Sequence, residues 1–98
     1  MVEVAIIFYS RDGNTLKLAR AAAEGVEQVP DTKASLRRIR ETAPESVVSA
    51  DERWRRTSEE LTSIPEATLE DLERAGAVVF GSPTRFGNMC AQLKEFID

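Results

Sequence analysis

The sequence predicts an α/β fold built on a parallel sheet, and two observations lead to that class. Two near-continuous apolar runs, "VAIIFY" at 4–9 and "AVVF" at 77–80, are typical of strands buried on both faces. Helix-forming segments alternate with the strands in the order β–α–β, an irregular segment, then α–β–α. Because right-handed crossovers join parallel strands, we expect the spatial order 2-1-3. Such a sheet binds ligands beyond the carboxyl ends of strands 1 and 3.

The first half of the chain predicts a strand, a helix and a second strand. Residues 2–9 form strand 1, and residues 15–28 form a helix because leucines and alanines recur on one face. Pro30 ends that helix. Residues 33–40, "KASLRRIR", predict a more exposed edge strand, since the basic side chains there discourage further pairing.

Residues 41–65 have the least regular pattern, with a polar helical piece near 50–61 whose charges form a solvated face. A short helix is predicted at 68–75. Thr68 is a favourable N-cap residue, and Asp71 lies three positions later, as in a capping box.

The last part of the chain predicts a third strand and a helix. The strand covers 76–82, a turn follows, and the helix covers 88–98 with Asn88 as its cap. Cys90 falls inside this predicted helix, where we expect a small buried side chain rather than a nucleophile.

Composition narrows the functional classes. The formal charge of −4 gives no general attraction to nucleic acid or to an anionic membrane. The chain has no histidine, so histidine-based metal sites and Ser-His or Cys-His catalytic pairs are excluded, and we predict no metal site. A single cysteine permits no internal disulfide, which agrees with a cytoplasmic location. No apolar run is long enough for a signal peptide or a membrane span, so no membrane insertion is expected.

The polar loop after strand 1, with the pattern S-x-x-G-N-T, allows two interpretations. Gly13 permits a close backbone approach. Ser10, Asn14 and Thr15 carry donors beside the start of a helix, and together these groups can hold a phosphate without a lysine. The same residues fit an ordinary turn with a helix cap.

The loop after strand 3, "GSPTRFGNM" at 81–89, is only partly explained as a turn that leads into a capped helix. That interpretation accounts poorly for Arg85 and Phe86. A phenylalanine beyond the end of a parallel strand can pack against a flat ring, and backbone N–H groups of 84–86 can bind ring heteroatoms. Arg85 can pair with a cofactor or substrate, or be a surface charge.

Together the two loops resemble those of the flavodoxin-like NAD(P)H:quinone oxidoreductases of the tryptophan-repressor-binding-protein type. "YSRDGNT" is similar to the FMN phosphate loop of flavodoxins, and the P-T-R-F-G-N-M run within "FGSPTRFGNMCAQLKEFID" is a hallmark of this family. "ETAPE" after strand 2 fits as well, and the resemblance covers essentially all 98 residues. It implies a flavodoxin-like α/β fold with three layers.

The resemblance also implies FMN as cofactor, NAD(P)H as co-substrate and two-electron reduction of a quinone. Because the flavin would supply this chemistry, we predict no catalytic acid, base or nucleophile in the protein. The residues expected to bind FMN are Ser10, Arg11, Asp12, Gly13, Asn14 and Thr15 at the phosphate, and Pro83, Thr84, Arg85, Phe86 and Gly87 along the isoalloxazine. Some family members have an aromatic residue at position 12, thought to touch the nicotinamide nucleotide, and Asp12 departs from that pattern. Because a phosphate repels a carboxylate, we expect Asp12 to point away from it, toward solvent or toward the entry side where the nicotinamide or quinone arrives.

The family's chains continue into further strands and helices, so we expect 1–98 to be the N-terminal part of a flavodoxin-like domain whose C-terminal strands are missing. Strand 3 would then be an exposed apolar edge, which predicts a homo-oligomer or pairing along strand 3. Two alternatives stay open beside the quinone reductase. One is a flavodoxin-type FMN electron carrier, and the other is a truncated, non-catalytic fragment that binds no flavin.

Overall fold

The described part of the chain contains three strands and five helices, with three consecutive helices between the second and third strands. In the computed structural model, residues 2–84 and 89–98 are described. The elements are β1 (Val2–Phe8), α1 (Asn14–Glu27), β2 (Thr32–Arg38), α2 (Glu45–Ala50), α3 (Glu52–Leu61), α4 (Leu69–Arg74), β3 (Ala77–Gly81) and α5 (Ala91–Ile97).

The strands form one parallel sheet in the order β2-β1-β3, which confirms the predicted topology. β1 pairs with β2 from Val2 opposite Thr32 onward. It pairs with β3 from Val4 opposite Ala77. Because β1 lies in the middle, the loop that follows it is flanked at the carboxyl edge by the ends of both neighbours.

Both faces of β1 are covered, as its unbroken apolar run predicts. Alternate side chains of a strand point to opposite faces, and this divides the buried core into two clusters. The first cluster faces α4 and α5 and contains Ala5, Ile7, Tyr9, Ile39, Cys90 and Leu93. The second faces α1 and contains Ile6, Phe8, Leu16, Ala19 and Ile64. The molecule therefore has the three layers expected of a flavodoxin-like sheet.

The segment 41–65 is more regular than its sequence predicts. The expected polar helix is present as α3, and it begins after Asp51, whose Oδ1 accepts the N–H of Trp54 at 3.1 Å. A second helix, α2, precedes it and was not predicted. That helix has only six residues and buries Val48 alone, so it lacks the repeated apolar spacing from which helices are recognised.

The predicted capping box of α4 is confirmed. Thr68 Oγ1 accepts the N–H of Asp71 at 3.3 Å, and Asp71 Oδ2 accepts the N–H of Thr68 at 2.8 Å. The side chain of Asp71 is buried and also accepts a hydrogen bond from Arg37 Nε at 3.2 Å.

The last helix begins later than predicted. α5 begins at Ala91, and Cys90 is its extended N-cap residue, with φ −69° and ψ 160°. The expectation that the helix already includes Cys90 was therefore wrong, while its burial is confirmed. Asn88, the predicted cap, lies outside the described residues.

β3 has an open outer edge, as the predicted strand order implies. Among residues 2–84 and 89–98, no strand pairs with that side of β3. Val79 and Phe80 are 43% and 45% exposed, on opposite faces of the strand. The apolar run of β3 is therefore much less covered than the similar run of β1.

None of the helices in the described parts of the chain has the length and apolar character needed to cross a lipid bilayer.

Candidate functional site

A cleft of about 200 Å³ lies at the carboxyl edge of the sheet and brings the two predicted loops together. Its lining comes from the loop after β1, from the start of α1, from α3, from the loop after β3, and from the start of α5. The lining residues are Tyr9, Ser10, Arg11, Asp12, Asn14, Thr15, Trp54, Pro83, Thr84, Cys90 and Gln92. Seven of the eleven residues expected from the sequence to bind FMN therefore border one cavity.

Ser10 organises the first loop from inside. Its side chain is only 2% exposed, and its Oγ accepts the N–H groups of Gly13 at 3.1 Å and Leu16 at 3.2 Å. Gly13 adopts a φ of +101°, which few residues other than glycine tolerate. Within the described residues the Ser10 hydroxyl hydrogen has no acceptor, so it is available to donate to a ligand in the cleft.

The N-terminus of α1 faces the same cavity. Its N-cap residue is Gly13, whose carbonyl accepts the N–H of Lys17 at 3.1 Å. The N–H groups of Asn14 and Thr15 have no acceptor in the described parts of the chain, as is usual in the first turn of a helix. These donors and the positive end of the helix dipole favour an anion at this position.

Arg11 contacts three other side chains at the rim of the cleft. Its guanidinium donates to Asp12 Oδ1 at 2.9 Å and to Asp51 Oδ2 at 3.3 Å. Its Cζ lies 4.3 Å from the centre of the Trp54 ring, a cation–π distance. Arg11 offsets the charge of Asp12 and connects the first loop to the beginning of α3.

Glu41 accepts hydrogen bonds from three side chains of the cleft wall. Its Oε2 accepts from the Tyr9 hydroxyl at 2.6 Å and from Trp54 Nε1 at 3.0 Å. Its Oε1 accepts from Gln92 Nε2 at 3.0 Å. Two backbone donors, the N–H groups of Thr42 and Ala43, complete the set at 3.0 Å each.

These contacts determine the protonation states of Glu41 and Tyr9, which share the shortest of these hydrogen bonds. Desolvation raises the pKa of Glu41, but the hydrogen bonds from Tyr9, Ala43 and Trp54 outweigh it, and that pKa lies below its ordinary value. Burial raises the pKa of the Tyr9 phenol, and the adjacent carboxylate raises it further. At neutral pH, Glu41 is therefore an anion and Tyr9 a neutral donor.

Ser82 makes two hydrogen bonds across the second loop, and the strand before that loop ends close to the start of α1. Ser82 Oγ accepts the N–H of Cys90 at 2.9 Å and donates to the carbonyl of Pro83 at 2.9 Å. A Cβ on Gly81, the last residue of β3, would lie 3.1 Å from Phe8 Cβ and 3.2 Å from Thr15 Cγ2, so a larger residue would crowd the place where β3 ends beside β1 and α1. Arg85, Phe86 and Gly87, which the sequence also assigned to the site, lie outside the described residues.

Sequence reasoning missed the wall opposite the first loop. Trp54, the only tryptophan, lies in a helix whose charges indicated a solvated face. Glu41 belongs to the "ETAPE" segment, which was noted only for its resemblance to the family. The side chains that donate to Glu41 lie 32, 13 and 51 residues away from it, so no local pattern connects them.

The parallel 2-1-3 sheet, with helices on both faces and a polar cleft at its carboxyl edge, defines a flavodoxin-like α/β protein. Residues 3–98 match the family described as NADPH-dependent FMN reductase, and the chain belongs to that family.

Curated relatives from three organisms carry the name NAD(P)H dehydrogenase (quinone). The relative from Solidesulfovibrio magneticus is 47% identical over 99% of this chain, which covers 47% of that protein. The one from Deinococcus radiodurans is 42% identical over 99% of the chain, with 48% of that protein covered. The one from Archaeoglobus fulgidus is 40% identical over 100% of the chain, with 51% covered. The chain thus spans about half the length of these relatives.

Proposed function

We propose that this chain carries the FMN-binding part of an FMN-dependent NAD(P)H:quinone oxidoreductase. One observation carries the proposal, namely that two polar loops, after β1 and after β3, meet in one cleft at the N-terminus of α1. The family match and the names of the relatives support it. We infer that the activity, its FMN cofactor, and its NAD(P)H and quinone substrates extend to this chain.

The first loop fits the phosphate of FMN. The Ser10 hydroxyl and the N–H groups of Asn14 and Thr15 are donors without acceptors among the described residues, and all three residues border the cleft. Asp12 is the one acidic side chain of this loop, and its pairing with Arg11 reduces its repulsion of an anion. A dianionic phosphate bound here would therefore need no lysine.

The cleft is small for a complete flavin nucleotide. Its volume of about 200 Å³ is below the roughly 300–1,000 Å³ of typical ligand pockets. We therefore assign to the first loop, Ser10 to Thr15, the phosphate end of FMN. Pro83 and Thr84 would border the ring end, and Arg85, Phe86 and Gly87 remain proposed contacts there.

When bound, FMN supplies the two-electron chemistry that connects oxidation of NAD(P)H to reduction of a quinone. The residues of this chain contribute binding and orientation. The donors of the first loop hold the phosphate, and the packing of Gly81 against Thr15 fixes the second loop relative to that phosphate. We propose no acid, base or nucleophile among the side chains of the cleft.

Comparison of FMN with riboflavin tests the phosphate assignment. The purified chain is titrated with each flavin, and flavin fluorescence is followed. FMN should bind at least about tenfold more tightly, because only FMN offers a charged acceptor to the first-loop donors. Equal affinity for the two flavins would contradict the assignment, and no binding of either would overturn the proposal.

A second assay separates a quinone reductase from a simple electron carrier. The FMN-loaded chain is mixed with NADH or NADPH and with benzoquinone, and nucleotide oxidation is recorded. Quinone-dependent oxidation supports the reductase. Tight FMN binding without any such oxidation would favour the flavodoxin-type carrier for this chain.

We also propose that the open edge of β3 pairs with a strand of a second copy of the chain. The support is the exposure of Val78, Val79 and Phe80 on an edge with no partner among the described residues. Light scattering after size-exclusion chromatography should show a dimer at micromolar concentration, and replacing Val79 by lysine should weaken it. A stable monomer with a cooperative melting transition would contradict this pairing.

A cytoplasmic location is the last element of the proposal. Its support is the single cysteine of the sequence, Cys90, which is a buried free thiol.

A further inference from the structure

Glu41 connects the carboxyl end of β1, α3 and α5 behind the cleft. It does so through Tyr9, Trp54 and Gln92, each of which donates one hydrogen bond to its carboxylate. All three donors line the cleft, whereas Glu41 does not. The positions of three wall residues thus depend on a side chain outside the cavity.

The arrangement requires a carboxylate in particular. Five N–H and O–H groups donate to Glu41, and an ionised carboxylate is the side chain that accepts from all of them without offering a hydrogen of its own. A glutamine at this position has the same shape but one acceptor oxygen. Its NH₂ group would face some of the five donors, which leaves N–H or O–H groups in part-buried places without partners.

Trp54 is fixed on two sides by this arrangement. Its ring N–H points to Glu41 at 3.0 Å, and the guanidinium of Arg11 lies against its ring. Arg11 is in turn held by Asp51, the N-cap residue of the helix that carries Trp54. The ring therefore borders the cleft, facing the first loop, in a single braced orientation.

We propose that Trp54 is a ligand-contact residue for the bound nucleotide and that Glu41 is the positioning residue that holds it there. This inference rests on the proposed function, because it concerns FMN in the same cleft. Aromatic rings at such positions contribute a large, rigid contact surface, and the contribution depends on their orientation. Loss of the Glu41 carboxylate should therefore weaken FMN binding although Glu41 does not border the cavity.

The experiment compares FMN dissociation constants for the full chain and four variants, by flavin fluorescence and calorimetry. Glu41→Gln removes the carboxylate, and Trp54→Phe keeps a ring but removes its N–H. The double variant tests whether the two changes act through one another. Glu59→Gln is the matched control, since Glu59 lies on α3 and, among the described residues, its side chain pairs only with Arg55 at the surface. Circular dichroism and urea unfolding verify that each variant is folded.

Both Glu41→Gln and Trp54→Phe should weaken FMN binding about tenfold, the effect of losing a hydrogen bond to a charged group. The double variant should bind FMN only slightly more weakly than either single variant, because both changes disrupt the same contact. If Glu41 had a merely structural role, the two losses of affinity would multiply. In Glu41→Gln, the emission of Trp54 should move to longer wavelength, while Glu59→Gln should match the original chain.

Two results overturn the inference alone. One is FMN binding by a folded Glu41→Gln variant that equals that of the original chain. The other, which applies even where Glu41→Gln fails to fold, is unchanged binding by Trp54→Phe. If the original chain binds no FMN, the proposed function fails and this inference fails with it.

Discussion

Replacement of Ser10 by alanine should be among the most damaging conservative changes in the chain. The Ser10 oxygen is buried and accepts two backbone N–H groups, those of Gly13 and Leu16. A buried donor left without a partner costs about 1–3 kcal/mol. The N–H of Leu16 is fully buried, while that of Gly13 is only partly so and can recover some hydration. We therefore expect a loss of about 3 kcal/mol in the free energy of unfolding.

That loss is large for a chain of this length, since a domain of about 100 residues has a total stability of roughly 5–15 kcal/mol. Urea unfolding followed by the fluorescence of Trp54 measures it. Ser63→Ala is the control, because Ser63 is exposed and, within the described part of the chain, its hydroxyl donates only to the carbonyl of Glu60. Its effect should stay within about 0.5 kcal/mol. A loss below about 1 kcal/mol for Ser10→Ala would refute the view that Ser10 organises the loop.

Three further predictions concern other parts of the molecule. Burial raises the pKa of Asp71, but its bonds from Thr68 and Arg37 lower it more, so the net shift is downward. The carboxylate therefore stabilises the fold above about pH 4, and this stabilisation is lost as the pH falls further. Asp71→Asn should cost about 3 kcal/mol at pH 7, and this cost should decrease as the pH falls below about 4, measured by urea unfolding. The folded-state pKa of Tyr9, the only tyrosine, is raised, so its contribution is complete below about pH 10 and is lost above it. Ultraviolet titration should show phenolate only as the protein unfolds in alkali, and a reversible titration near pH 10 in folded protein would contradict the buried bond to Glu41. Gly25→Ala should stabilise α1 by about 0.5–1 kcal/mol, because a Cβ there meets no atom within 4 Å. A lower melting temperature for this variant would contradict this prediction.

The fold could largely be predicted because its determinants are local. The apolar run of β1 identifies a central strand, and alternation with helices implies parallel pairing. Thr68 and Asp71 lie three residues apart, so their capping box can be read from the sequence alone. The start of α5 could not be predicted in this way. Cys90, the residue before this helix, is extended and donates its N–H to Ser82 in the preceding loop.

Only part of the candidate site could be predicted from the sequence. The first loop is one continuous stretch whose glycine, serine and helix start have recognisable chemistry. The opposite wall depends on Glu41, whose partners come from three other elements. The charged side chains of α3 predict a helix that faces solvent. Trp54 lies on the same helix but borders the cleft, where its ring N–H donates to the distant Glu41 carboxylate.

The order β2-β1-β3 also determines when the cleft can form during synthesis of the chain. The middle strand, β1, is made first, and one of its edges has no pairing strand until Ala77 to Gly81 have been synthesised. Pairing between segments so far apart raises the contact order of the fold, which slows folding. The walls of the cleft come from separate parts of the sequence, with Tyr9 and Ser10 after β1, Trp54 on α3, and Pro83 and Thr84 after β3. Because residues that follow β3 line the cleft, the ligand site is incomplete until β3 has been made, and a ligand that binds there would favour the fully paired sheet.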